Sequence, residues 1–147
     1  MAFVTEQLVV AIVAVNGLSK ARTAHGDAAI AARLNEYYEV IERACAKAGG
    51  RVIKVIGDGI IVAFPAERCA AAVDALRGAQ REANMFWQAV DGTCRVVIKA
   101  GSGPIAAGTM GPPGNQRSDI YGATLNEVFR LPPGEFALTP ALTAAAG

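Results

Sequence analysis

Residues 51–65, RVIKVIGDGIIVAFP, commit the chain to a sheet-centred fold. Two runs rich in Val and Ile flank Gly57-Asp58-Gly59. An Asp-Gly turn between β-branched runs specifies a tight hairpin. Both runs are almost wholly apolar rather than alternating, which predicts strands buried on both faces in the middle of a sheet. Two charges interrupt them, Lys54 in the first run and Asp58 at the tip. A charge buried alone is costly, so each must reach solvent, a counter-charge or a ligand. Asp58 either supplies turn chemistry or stands where a metal or phosphate group would sit. Lys54 either snorkels or finds a partner.

The flanking chain supplies the hairpin's neighbours. Residues 8–15, LVVAIVAV, read as a buried strand that ends in the turn former Asn16-Gly17. Residues 18–26 read as a polar connection, and His25, the only histidine, as a surface residue. Asp27 is an N-cap candidate for a long helix, in which Ile30, Leu34, Tyr37 or Tyr38, Ile41 and Cys45 recur at three and four. Gly49-Gly50 stops that helix. Pro65 starts a second, alanine-rich helix. Residues 85–92 read as a loop in which Phe86 and Trp87 cap the packing. Residues 93–100 and 104–110 read as two strands joined by a turn at Gly101-Ser102-Gly103. Residues 111–118 read as a Pro/Gly loop, 121–131 as a short helix and 135–139 as a last strand.

That order, β-α-β-β-α-β-β-α, predicts an α+β fold. It is a ferredoxin-like βαββαβ sandwich with an antiparallel sheet and helices on one face. Each crossover is long enough to hold a helix, which sets the first strand beside the hairpin. The turn at 16–19 and Asp58 then share an edge, a corner suited to a triphosphate with a divalent ion.

At 147 residues the chain reads as a single domain, 1–147. A net charge of +1 gives no long-range pull toward nucleic acid or an anionic membrane. Cys45, Cys69 and Cys94 are odd in number and form no CxxC pair. They read as reduced core thiols rather than a zinc site or a disulfide framework. The apolar run near the start is too short to span a membrane, and Glu6 precedes it with no basic leader. A cytoplasmic location is expected.

Four stretches, VAVNGLS, LNEYYEVIERACAKAGGRVIKVIGDGIIVAFP, AGSGPIAAGTMG and SDIYGATLNEVFR, follow one another in an order and spacing that resembles the catalytic domain of class III adenylyl and guanylyl cyclases. The resemblance runs from about residue 8 to residue 139. It implies the nucleotidyl cyclase type of ferredoxin-like fold, a cyclase homology domain of cyclic-nucleotide signalling. It further implies a head-to-tail homodimer, or a heterodimer with another cyclase domain, with sites at the interface. The reaction implied is ATP to cyclic AMP and pyrophosphate, with Mg2+ or Mn2+ as cofactor. Residue by residue, Asp58 matches a metal aspartate, and Lys54 and Asp119 the purine-selecting pair that favours adenine. Asn126 matches the residue that positions the ribose, and Arg130 the one that stabilises charge on the phosphate. The purine assignment is chemically coherent. Lys54 can donate to an adenine ring nitrogen and Asp119 accept from the exocyclic amine, whereas guanine's carbonyl would oppose the carboxylate. Asn126 and Arg130, four apart, share one helical face.

Three departures accompany the resemblance. Ala14 occupies the position of the other metal aspartate, and alanine cannot ligate. Lys99-Ala100 replaces the usual Gly and apolar residue. The chain also stops near the last helix, without the usual C-terminal strands and their phosphate-binding lysine. These imply an impaired or inactive cyclase, or a non-catalytic nucleotide-binding or dimerisation module.

Overall fold

β1 (Val4–Asn16) is the spine of the sheet in the computed structural model, which describes residues 3–147. It pairs antiparallel with β3 (Gly59–Pro65) on one side and with β4 (Arg95–Met110) on the other. β2 (Arg51–Ile56) lies outside β3, and β5 (Arg117–Tyr121) outside β4, giving the order β2-β3-β1-β4-β5. The short β6 (Phe136–Leu138) runs parallel to β4. Helices α1 (Leu18–His25) and α2 (Asp27–Ala46) follow β1, and α3 (Cys69–Val90) follows β3 after a 3-10 turn. α4 (Ala123–Phe129) follows β5, and α5 (Pro140–Ala146) ends the chain.

The unbroken apolar run of β1 has a simple cause: both of its faces are covered. Val9, Ala11, Val13 and Val15 face α2 and α3 in the main core, with Tyr37, Ile41, Leu76 and Trp87. Leu8 and Val10 point the other way, into a smaller cluster with Ile61, Ile105, Leu125 and Val128. The two long helices thus lie on one face, as the ferredoxin-like reading requires, and α4 covers part of the other. No helix among the described residues is long and apolar enough to cross a membrane.

Several local expectations are overturned. The hairpin is not wholly central: β3 is buried, but β2 is an edge strand whose Val55 and Ile56 stay exposed. The Gly101-Ser102-Gly103 turn does not exist, because β4 runs straight through it and pairs with β1 along that length. Its glycines serve close approach instead. A Cβ on Gly101 would sit 2.7 Å from the side chains of Val128 and Thr139, and one on Gly103 2.6 Å from Thr124 Oγ1. Residues 18–25 form α1 rather than a loop, anchored by the buried Leu18 and Ala21. Gly26, not Asp27, caps α2. The helix expected from Pro65 begins at Cys69. It then continues to Val90, through most of the expected loop at 85–92, since Trp87 is fully buried edge-on to Tyr37 and Phe86. Finally, part of the Pro/Gly loop is β5.

Burial of Cys45 on α2 pushes its thiol up from 9.0 to about 12. The unfolded thiol loses its proton from about pH 9, while the folded one keeps it. This contribution is therefore intact below pH 9 and is lost as pH rises through 9 toward 12. The urea midpoint is expected to fall above pH 9, and Cys45→Ala to flatten the first part of that fall. A fall unchanged in Cys45→Ala would clear the thiol of the effect.

Candidate nucleotide site

The hairpin tip is fastened from two directions. Asp58 Oδ2 accepts a 2.8 Å hydrogen bond from the backbone N–H of Val15 at the end of β1. From α2, the Tyr37 hydroxyl donates to the Asp58 carbonyl at 3.0 Å, and the Tyr38 hydroxyl to the Gly57 carbonyl. Gly57 takes the left-handed conformation (φ 58°) that lets the chain turn there. Burial first, and the Asp58 carboxylate second, hold the Tyr37 phenol far above its ordinary range. Tyr37 therefore stays a neutral donor to the tip. The turn expected beside Asp58 is that at 16–19; the contact is instead with Val15, the strand residue just before that turn and next to Ala14.

The second group forms where the sheet's edges meet. β2 and β5 lie at opposite ends of the strand order, yet the sheet curls until they touch. A register shift between Val52 and Lys54 marks a bulge, a device that re-aims the side chain beyond it. Lys54 Nζ donates to Asp119 at 3.1 Å from each carboxylate oxygen. Asp119 Oδ1 also accepts from the N–H of Ile120 at 2.7 Å. The side chains are only 25% and 14% exposed, so the pair resists screening better than a surface ion pair does. It forms one wall of a cleft of about 450 Å³ whose other lining includes Val55, Ile56, Met110, Asn115 and Arg117.

Asn126 and Arg130 stand elsewhere. α4 turns Thr124, Leu125 and Val128 inward, and Thr124 Oγ1 donates to the Pro104 carbonyl at 2.8 Å. Asn126 and Arg130 lie exposed on the opposite side, one helical turn apart, with the Arg130 N–H donating to the Asn126 carbonyl at 3.1 Å. Neither lines the cleft. Apolar side chains remain uncovered nearby in sequence, Tyr121 at 66% exposed and Phe129 at 54%, and at the cleft Ile56 is 74% exposed.

A divalent-metal centre does not fit the side chains present. Among the described residues no three His, Cys, Asp or Glu side chains converge on a common point. Asp58 has one oxygen committed to Val15, and Ala14 contributes none. Hard cations need several oxygen ligands. A larger groove of about 610 Å³ between α2 and α3 is lined by Ala44, Ala48, Ala71 and Ala75. It contains none of the residues singled out from sequence.

Arg117 and Asn115 were missed as cleft residues because 111–118 read as a loop. The alternation Arg117, Asp119, Tyr121 against Ser118 and Ile120 was the available signal, with period two.

The curled antiparallel sheet with two long helices on one face is the fold seen in solved catalytic domains of class III nucleotidyl cyclases. The chain is similar to the adenylyl cyclase CyaB from P. aeruginosa at TM-score 0.87 and 20% identity, covering 99% of this chain and 82% of that one. The guanylyl cyclase Cya2 matches at TM-score 0.80 and 22% identity, over 100% of this chain and 81% of the other. A class III adenylyl cyclase-like ATP-binding protein from Pseudomonas aeruginosa matches at TM-score 0.79 and 17% identity, over 97% and 35%. No protein-family model and no curated protein matches the sequence.

Proposed function

We propose that this domain reads an adenine nucleotide at the Lys54–Asp119 cleft and works in head-to-tail pairs, with adenylyl cyclase activity that is low or absent. The ion pair lining the cleft carries the reading. Without ligand, Lys54 and Asp119 neutralise each other and hold their positions. An adenine edge entering between them replaces one ion pair by two charge-assisted hydrogen bonds, from Lys54 to a ring nitrogen and from the exocyclic amine to Asp119. Guanine would set its carbonyl against the carboxylate.

Asn126 and Arg130 lie outside that cleft, and in this reading a complete site is shared between protomers. Asn126 would orient the ribose, and Arg130 would meet charge on the phosphate as the 3′-hydroxyl displaces pyrophosphate to give cyclic AMP. The uncovered Tyr121 and Phe129 suit an interface. The partner is a second copy, or a cyclase domain that carries both metal aspartates and so completes one site. With Ala14 in place, the protein alone is a nucleotide-binding or regulatory domain of cyclic-nucleotide signalling in the cytoplasm.

Calorimetric titration tests the reading. ATP is expected to bind, and GTP on the order of a hundredfold more weakly, as two mismatched hydrogen bonds at charged groups dictate. Failure of both nucleotides to bind at high micromolar concentration would defeat it.

A further inference from the structure

The cleft has a surplus charge that the base-reading pair does not use. Lys54 and Asp119 cancel, and the remaining charged residue in its lining is Arg117. Arg117 forms no ion pair among the described residues. It alternates with Asp119 on β5, so the two side chains leave the same face of the strand, about 7 Å apart along it. An extended Arg side chain adds several ångströms of reach to that spacing, enough to span from a purine's edge to the phosphate of its own nucleotide. Asn115, where the chain returns toward β5, adds an uncharged donor and acceptor to the same wall. Among the described residues, the corner beside Asp58, expected to hold phosphates through metal ions, has too few side-chain ligands to do so.

We propose that Arg117 is the anion-binding half of a metal-independent purine-nucleotide subsite in the unpaired protein, with Lys54 and Asp119 reading the base and the Arg117 guanidinium taking the phosphate that Arg130 would meet in a completed pair. This rests on the nucleotide reading above and extends it. A guanidinium presents a planar fork of donors that matches two phosphate oxygens. The ligand class is therefore an adenine nucleotide with at least one phosphate, and binding needs no divalent ion.

Adenosine, AMP and ATP titrated in excess EDTA provide the test. AMP and ATP are expected to bind on the order of tenfold more tightly than adenosine. Arg117→Gln should reduce both to the affinity of adenosine while leaving adenosine itself unchanged, which also shows that the variant folds. Arg117→Lys should retain part of the gain, and Arg43→Gln, the same charge change on α2, all of it. Equal binding of adenosine and its nucleotides in EDTA, or a nucleotide advantage that survives Arg117→Gln, overturns the subsite while the base reading stands. Absence of adenosine and nucleotide binding alike overturns both.

Discussion

Ala14→Asp is expected to create a Mn2+ site and to raise cyclic AMP formation from ATP on the order of a hundredfold or more over the unaltered protein. Asp58 already stands at the end of β1, held at 2.8 Å by the N–H of Val15, the residue after Ala14. A carboxylate at 14 would double the acidic oxygens at that corner, the donor chemistry hard divalent ions take. Two carboxylates without an ion repel each other. Metal-free Ala14→Asp should therefore melt below the unaltered protein, and Mn2+ should raise its melting temperature by more, since a ligand stabilises in proportion to its occupancy of the folded state. Calorimetry with Mn2+ alone and a cyclic AMP assay separate the outcomes. Mn2+ binding without product would place the remaining defect in the phosphate or ribose contacts. No Mn2+ binding would show that residue 14 does not face the Asp58 corner.

The central strands were legible because burial on both faces writes itself as continuous Val, Ile and Ala, in β1 and β3 alike. The Lys54–Asp119 partnership was legible only through the family resemblance, since the residues are 65 apart in sequence and nothing in spacing brings the two sheet edges together. Glycine misled most. Gly101 and Gly103 carry no turn; they make room for Val128, Thr139 and Thr124 to press against β4. A strand crossed closely by its neighbours and a strand that turns leave the same residue in the sequence. α1 escaped notice because its inner face is only Leu18 and Ala21, too few positions to establish a period. β5 lies at an edge, with Arg117 and Ser118 exposed, so its alternation was diluted by the polar loop before it.

Exchanging the two charges, Lys54→Asp with Asp119→Lys, is expected to keep the fold and reverse the base. Either single neutralisation strands a half-buried charge and should cost about 1–3 kcal/mol. The exchange preserves an ion pair between β2 and β5 and should recover most of that loss. Its hydrogen-bond pattern, however, is inverted. A carboxylate at 54 faces the adenine ring nitrogen acceptor to acceptor, and an ammonium at 119 faces the exocyclic amine donor to donor. Guanine offers the complement, a ring N–H to the new Asp and a carbonyl to the new Lys. ATP affinity should fall on the order of a hundredfold, and GTP should bind more tightly than ATP. Urea denaturation and paired ATP and GTP titrations on both single variants and the exchange separate structural from base-reading effects. An exchanged protein that recovers its stability and still prefers ATP would reduce the pair to a staple between the sheet's edges. A reversal of preference cannot arise from a staple, because a staple has no stake in which base is offered.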